Sequence, residues 1–151
     1  IPCKTVRSQR GEKRESRMKR STVIKMIKET YSVEAEYLWD GETHAVFRHP
    51  VSNKWFGIIM EVKKKNLHIL GYEKSDESED VINVKANPIF IEDLLHEGAF
   101  LPAYHMNKKN WVSIRLELIK ETALKKFIDE SWNLLKPKVK KTGGVIKITS
   151  V

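Results

Sequence analysis

The run LPAYHMNKKNW, residues 101–111, leads directly into an alternating segment that ends at residue 118. Every second residue from Val112 to Leu118 is apolar, and this two-residue period predicts a strand with one face in the core. Trp111, Ser113 and Arg115 then lie on the opposite face. The preceding run combines a proline, a tyrosine, a histidine, two asparagines and two lysines. It predicts a polar, cationic loop that turns into the last strand of a sheet.

Four further segments predict strands, and their residues are 43–49, 55–62, 67–72 and 81–86. They are rich in β-branched and aromatic residues and are separated by turn residues such as Asp40-Gly41. Alternation in the second segment predicts two faces. One face holds Phe56, Ile58, Met60 and Val62, and the other holds Trp55, Gly57, Ile59 and Glu61. The acidic stretch 73–80 is predicted to be an exposed loop because it is too polar to be buried.

Helix signals flank these strands. Ser21 is the predicted N-cap of a first amphipathic helix. Asn87 and Pro88 predict the N-cap and first residue of a short helix that ends at Gly98, and residues 124–135 predict a long amphipathic helix. Short strands joined by hairpins favour an antiparallel sheet. The prediction is therefore an α+β fold: an antiparallel five-stranded sheet flanked by N- and C-terminal helices, with a short helix inserted before the last strand.

Several motifs together resemble the MmcQ/YjbR family of small bacterial proteins. They are DGETHAVFRH (40–49), NKWFGIIMEV (53–62), DVINVKANP (80–88), LPAYHMNKKNW (101–111) and FIDESWNLL (127–135). The motifs follow the family's order and spacing over residues 21–136. The resemblance implies a YjbR-like fold, which has the α-β5-α arrangement described above. It also implies DNA binding, since the family is usually labelled in that way.

The net charge of +8 suggests a nucleic-acid partner, but the charge is unevenly distributed. Residues 1–20 carry +6 and residues 120–151 carry +5, whereas residues 21–119 have twelve Lys/Arg against fifteen Asp/Glu. The first twenty residues lack apolar periodicity and are predicted to be a basic linker or the remnant of an upstream region. The chain begins with Ile1 and not with methionine, so it is expected to be a fragment of a longer protein. Residues 21–136 form the predicted domain, and residues 137–151 a basic tail or a short added strand. Such tails can bind phosphate by releasing counterions.

Several classes of protein are disfavoured. No apolar run reaches the ~18 residues of a membrane span, and no signal peptide is recognisable. The one cysteine, Cys3, allows no internal disulfide, which fits a reducing cytoplasm. No phosphate-binding glycine loop or nucleophile motif is present, and the five histidines form no i, i+4 pair. We therefore expect a cytoplasmic, monomeric protein that is not an enzyme and binds no metal or cofactor.

The leading prediction is a nucleic-acid-binding surface, with DNA favoured over RNA. Indole rings can stack on bases while cations neutralise phosphates. The predicted contact residues are Arg48, Lys54, Lys85, His105, Asn107, Lys108, Lys109, Trp111 and Arg115. This requires the sheet face that carries Trp55, Asn83 and Arg115 to be open. If a helix covers that face instead, the tryptophans belong to the core and the cations lie at its rim.

Alternatives remain open. His105 could bind phosphate, act as an acid or base, or lock the loop by hydrogen bonding. The acidic domain, the apolar loop of residues 98–104 and a possible open sheet edge favour a chaperone-like module that binds an extended protein segment. A third possibility is a small-ligand pocket lined by Trp39, Trp55, Tyr104 and Trp111.

Overall fold

The computed structural model describes residues 18–142 and 145–149, and the side chains of residues 18–137. Residues 1–17 of the predicted linker therefore lie outside the described residues. The helices are α1 (Arg20–Tyr31), α2 (Pro88–Leu94) and α3 (Glu121–Leu135), with a 3₁₀ helix at Lys64–Leu67. The strands are β1 (Ala45–Arg48), β2 (Trp55–Lys63), β3 (Ser78–Lys85), β4 (Phe100–Pro102), β5 (Trp111–Arg115), β6 (Lys138–Thr142) and β7 (Val145–Thr149).

Strands β1 to β5 form one antiparallel sheet in the order β1-β2-β3-β5-β4. The predicted α+β fold, with a helix at each end of a five-stranded sheet, is confirmed. Strands β6 and β7 form a separate hairpin, so the predicted basic tail contains two strands. The edges of the main sheet are short. β4 has three residues, and Glu36 forms a β-bridge with Val46 on the outer side of β1. Both features leave little free strand edge with which an added strand could pair.

Helices α1 and α3 cover the first face of the sheet. Their apolar residues pack on the sheet in one cluster whose most buried members include Val23, Ile27, Phe47, Ile59, Ile82, Ile114, Leu124 and Ile128. Each of these residues is at most 1% exposed. Burial of this size is the main stabilising contribution to such a domain.

The second face of the sheet is also covered, but by loops and the 3₁₀ helix. Val46, Ile58, Met60, Val62, Leu67 and Val81 form a second buried cluster there. Leu101, Tyr104 and Met106, from β4 and the loop after it, pack partly buried against this cluster. The sequence left two possibilities for this face, an open surface or a covering helix. The structure shows neither, because the loop before β5 covers the face.

One predicted strand is wrong. Residues 67–72 form the end of the 3₁₀ helix and turns, and the fifth strand of the sheet is β4. Strand β3 begins at Ser78, three residues before the predicted strand. The acidic stretch predicted to be exposed therefore enters the sheet, and Glu79 has a fully buried side chain. A carboxylate can be buried when cations pair with it, and such partners cannot be recognised from the local sequence.

A β-bulge in β2 changes which residues share a face. Phe47 pairs with Gly57, but Arg48 pairs with Trp55, so Phe56 is an extra residue in the ladder. The bulge places Phe56 in the same cluster as Ile59, on the helix-covered face. The predicted grouping of Phe56 with Ile58, Met60 and Val62 is therefore wrong. Ser131 of α3 donates its hydroxyl hydrogen to the carbonyl oxygen of Phe56 at 2.7 Å, which satisfies a group outside the regular ladder.

The helix ends agree only in part with the predictions. Asn87 is the N-cap of α2, and its Oδ1 accepts from the Ile89 N–H at 3.0 Å. Ser21 is not an N-cap, because α1 begins one residue earlier at Arg20. Gly98 does not end α2, which stops at Leu94. Leu118 is about half exposed and outside the core, since β5 ends at Arg115.

His49 lies buried between the first turn after β1 and helix α3. Its ring stacks on Trp132, with the ring centroids 4.0 Å apart. Nδ1 accepts from the backbone N–H groups of Val51 and Ser52 at 3.1 and 3.4 Å. Nε2 is buried and has no hydrogen-bond partner among the described residues. Burial, with the positive charge of Lys136, lowers the pKa of His49 from its ordinary value of 6.5.

We expect the stability of the protein to fall in acid because of His49. The unfolded chain takes up a proton near pH 6.5, whereas the folded chain does so only at lower pH. The contribution of neutral His49 is therefore complete above about pH 6.5 and is lost as the pH falls through the lowered pKa. Urea unfolding of the wild type at pH 8 and pH 5 should show this loss. A His49→Asn variant, which keeps an acceptor, should lose less between the two values; an equal loss would contradict the assignment.

Candidate functional site

A closed ring of hydrogen bonds holds the backbone of Tyr104 over the second sheet face. Ser113 Oγ donates to Asn83 Oδ1 at 2.5 Å, and Asn83 Nδ2 donates to the Tyr104 carbonyl at 2.9 Å. The Tyr104 N–H then donates to Ser113 Oγ at 2.9 Å. Asn83 and Ser113 are fully buried and lie opposite each other in β3 and β5. These polar residues, which the sequence placed on a possible contact face, instead fix the loop.

The next residue, His105, has a left-handed backbone conformation with φ +58°. Its ring stacks on that of Tyr104, with centroids 3.9 Å apart and planes 15° apart. Further along the loop, Asn107 Oδ1 accepts from the Lys109 N–H at 2.8 Å, which forms an Asx turn. The loop is therefore shaped by its own polar residues, and the stacked Tyr104–His105 pair projects from a fixed backbone.

On one side of this pair lies a cleft of about 310 Å³, called here the aromatic cleft. Its ring-bearing residues are Trp39, His44, Trp55, Tyr104 and His105. Its other lining residues are Glu42, Ile58, Met60 and Met106. The volume is at the lower end of the ~300–1,000 Å³ that is typical of small-molecule sites.

Three parts of the chain meet in the aromatic cleft: the segment before β1, strand β2 and the loop after β4. The rings of Trp39 and Trp55 meet nearly at right angles, 88°, with centroids 5.9 Å apart. The ring of His44 meets that of Trp39 edge to face at 5.7 Å. Without the bulge at Phe56, Trp55 and Ile58 would point to opposite faces of β2. The bulge is thus the reason that Trp55 shares a cleft with Ile58 and Met60.

On the other side of the stacked pair lies a larger cleft of about 610 Å³, called here the polar cleft. Asn66, His68, His105 and Lys108 supply its polar side chains, and Leu67 and Leu101 are among its apolar ones. Lys108 and Lys109 are both exposed. The polar cleft thus places one exposed lysine of the loop beside two histidines.

Arg115, a predicted contact residue, is held inside the protein by an ion cluster. Its guanidinium donates to both carboxylate oxygens of Glu79, at 2.8 Å from Nη2 and 2.9 Å from Nε. The buried ammonium of Lys64 lies 3.1 Å from both Glu79 and Glu117. Burial by itself would lower the pKa of Lys64, but hydrogen bonds to Glu117 and Glu79 outweigh it and raise that pKa. The hydrogen bonds to Glu79 also raise the pKa of Arg115.

The other predicted contact residues are spread over the sheet. Arg48 binds Glu36 at 3.1 Å and the Asn53 carbonyl at 3.2 Å. Lys54 and Lys85 are half-buried. Trp111 is also half-buried and packs against the helix-covered core, so it does not line the aromatic cleft. Trp111 and Arg115 lie at opposite ends of β5, roughly 13 Å apart along the strand.

The structure therefore brings together only part of the predicted surface. His105, Asn107, Lys108 and Lys109 share one loop, whereas Arg48 lies three strands away from Arg115. Sequence reasoning missed Glu42, His44, Met60 and Met106 as lining residues of the aromatic cleft. One signal for these residues was available in the sequence. Trp39, Glu42 and His44 lie just before β1, and β1 pairs with β2.

Within residues 18–142 and 145–149, no group of three or more His, Cys, Asp or Glu residues could hold a metal ion. In the same part of the chain, no helix has the length and apolar character that crossing a membrane would require.

Comparisons with known proteins agree with this fold. The family model described as YjbR matches residues 28–134. The uncharacterized protein YyaQ of Bacillus subtilis is 33% identical over 119 residues, which is 78% of this chain and 98% of that protein. A crystal structure of a Pseudomonas syringae protein has a TM-score of 0.72 at 28% identity, covering 78% of this chain and 98% of that one. The Deinococcus radiodurans protein DR2400, with a DUF419 domain, has a TM-score of 0.55 at 18% identity over 76% of each chain, which shows a shared fold alone.

Proposed function

The chain belongs to the YjbR family, and from this premise we propose that it is a non-enzymatic binding protein whose ligand occupies the aromatic cleft. The observation that carries the proposal is the meeting of Trp39, Trp55 and Tyr104 in one cleft of about 310 Å³. These are three of the four aromatic residues from which the sequence suggested a small-ligand pocket. The cleft is concave, mainly apolar and supplied with a few polar groups, which is the usual character of a ligand site.

Hydrogen bonds to buried side chains hold the backbone beside two of the aromatic residues of the cleft. Tyr104 is fixed by buried Asn83 and Ser113, and Trp55 lies beside a bulge that is bonded to Ser131. A ligand therefore loses little affinity to the ordering of the protein. Trp39 is 42% exposed, so a ligand can reach its ring from solvent.

We expect ligand binding to depend on Trp39 and Trp55. Nuclear magnetic resonance would follow the four indole N–H signals of the full chain during titration with choline, adenosine monophosphate and free tryptophan. A ligand in the aromatic cleft should shift the Trp39 and Trp55 signals, and Trp39→Ala should weaken its affinity about tenfold, since buried aromatic contacts dominate binding energies.

Trp111→Phe is the matched control, because Trp111 does not line the aromatic cleft. Its affinity should equal that of the wild type. If all three compounds leave Trp39 and Trp55 unchanged, or if Trp111→Phe weakens binding as much as Trp39→Ala, the cleft is not the site.

A second candidate function is nucleic-acid binding, with DNA favoured over RNA. What favours it is the loop after β4, where Lys108 and Lys109 are exposed and Lys108 lines the polar cleft with His68 and His105. Cations on a fixed loop can contact phosphates. The basic residues at both ends of the chain would add affinity by counterion release. The ion pairs of Arg48 and Arg115 count against a broad contact surface on the sheet.

If the loop binds nucleic acid, replacing Lys108 and Lys109 together with alanine should weaken binding of a labelled single-stranded DNA. The loss of two phosphate contacts should also make the dependence of affinity on salt less steep by about two. Fluorescence anisotropy at several salt concentrations would measure both. A chain without residues 1–20 and 137–151 provides the comparison. If that truncation abolishes binding while the lysine pair is dispensable, the domain does not contact the DNA.

A further inference from the structure

Acidic and basic residues are unequally represented in the lining of the aromatic cleft. Among its nine lining residues, Glu42 is the one acidic residue, and neither lysine nor arginine is present. The carboxylate of Glu42 lies 3.6 Å from His44 Nε2 and its side chain is a little over half exposed. An anionic ligand would therefore meet the Glu42 carboxylate, with no lysine or arginine in the lining to compensate it. A cationic ligand would meet a favourable charge near the opening of the cleft.

The aromatic rings that line the cleft also favour a cationic ligand. Trp39 and Trp55 stand at 88° to each other in edge-to-face contact, and Tyr104 contributes a further ring to the lining of the cleft. The face of an aromatic ring carries the negative part of its quadrupole and attracts cations, with tryptophan the strongest of the three ring types. Perpendicular rings allow one compact cation to lie against more than one such face.

From these observations we propose that the aromatic cleft binds a methylated ammonium group. This rests on the proposed function, because it names the class of ligand for the same cleft. A primary ammonium keeps several strong hydrogen bonds to water and loses them on burial. Apart from Glu42 and the two histidine rings, the side chains of the cleft are apolar or aromatic: Ile58, Met60, Met106 and the rings of Trp39, Trp55 and Tyr104. A trimethylated ammonium has no N–H group, so it needs no hydrogen-bond acceptor and is well suited to such walls.

The same group occurs on free small molecules and on methylated lysine side chains of proteins. Both sources carry the ammonium group that the cleft would recognise. They differ in the rest of the molecule to which that group is attached. The experiment therefore uses one probe of each kind: choline, and N-acetyl-trimethyllysine methylamide. Tighter binding of the second would identify a protein segment as the source, and tighter binding of choline would identify a small molecule. Either result supports the proposal.

The deciding comparison is between choline and 3,3-dimethyl-1-butanol, which has the same shape without the charge. In titrations of the full chain followed by the Trp39 and Trp55 indole signals, choline should bind about tenfold more tightly than the neutral compound. Glu42→Gln removes the negative charge at nearly constant size. It should weaken choline binding about threefold, as expected for a partly exposed charge pair, and leave the neutral compound unaffected. Glu61→Gln is the control, since Glu61 is exposed and does not line the cleft.

The outcomes separate this inference from the proposed function. If the neutral compound binds as tightly as choline, or if Glu42→Gln has no more effect than Glu61→Gln, the cleft is a ligand site but not one for cations. If adenosine monophosphate shifts the two indole signals and neither ammonium probe does, the cation inference is wrong and the cleft remains the site. If none of these compounds shifts Trp39 or Trp55, both the inference and the proposed function are wrong.

Discussion

Replacement of Glu79 by alanine is expected to lower the free energy of unfolding by about 3–5 kcal/mol, the usual cost of leaving a buried charge without its partner. The Glu79 side chain is fully buried, and it accepts hydrogen bonds from Arg115 and Lys64. The side chain of Arg115 is only 13% exposed, and Glu79 is its one ion-pair partner among the described residues. Lys64 keeps Glu117 and Glu77 as partners. The main cost therefore arises at Arg115.

Urea unfolding of the wild type and the variant measures this effect, and Glu77→Ala is the matched control. Glu77 lies 3.5 Å from Lys64 but is more than half exposed, so its loss should cost at most about 1 kcal/mol. A double replacement, Glu79→Leu with Arg115→Met, removes both charges of this pair, while Lys64 keeps Glu117 and Glu77, and should recover most of the stability. Equal effects of Glu79→Ala and Glu77→Ala would show that the Glu79 carboxylate is not buried in solution.

Replacement of Ser131 by alanine should be the next most harmful change, at about 2–4 kcal/mol. The Ser131 hydroxyl donates to the Phe56 carbonyl at 2.7 Å and accepts from the Lys85 N–H at 2.9 Å. Alanine would leave the buried Phe56 carbonyl and the partly buried Lys85 N–H without this partner, and an unpaired buried group costs about 1–3 kcal/mol. Because Phe56 is the bulged residue next to Trp55, the variant should also bind ligands of the aromatic cleft more weakly.

Unfolding curves and the choline titration measure the two effects of Ser131→Ala. Ser131→Cys retains a weak donor and acceptor of similar size, so its stability should lie between those of wild type and Ser131→Ala. Asn133→Ala serves as the control on the same helix, since Asn133 is exposed and contacts only Asp129 by its side chain among the described residues. If Ser131→Ala unfolds like Asn133→Ala, the hydroxyl does not hold the bulge.

Much of the fold follows from local patterns in the sequence. Alternation predicted β2 and β5, helical spacing predicted α3, and Asn87-Pro88 predicted the start of α2. These features depend on neighbouring residues, whose spacing directly reflects strand or helix geometry. The prediction of a strand at residues 67–72 is wrong because it, too, used only the local pattern of residue types. Residues 67–72 are apolar enough for a strand, but Leu67 and Ile69 instead pack in the cluster on the second face of the sheet, and Leu70 is exposed.

Less of the site could be predicted. The sequence identified Trp39, Trp55 and Tyr104 as possible partners in a pocket, because aromatic residues outside the predicted core are few. It also placed Trp111 with them and grouped Phe56 with Ile58. The grouping of Phe56 assumes perfect alternation, which the bulge at Phe56 breaks. Trp111 was misplaced for another reason, since its ring packs against the helix-covered core. A bulge depends on how two strands pair, and each strand alone carries no clear sign of it.

The sequence by itself determined the family, the α+β class and the loop that precedes the last strand, because these depend on residue types at fixed spacing. Only the tertiary structure decided that Arg115 pairs with Glu79, thirty-six residues away, and that the second face of the sheet is covered. It also decided that Trp55 and Tyr104 meet on that face. The physical reason is that burial and charge pairing depend on strand register. Register is set by all strands of the sheet together.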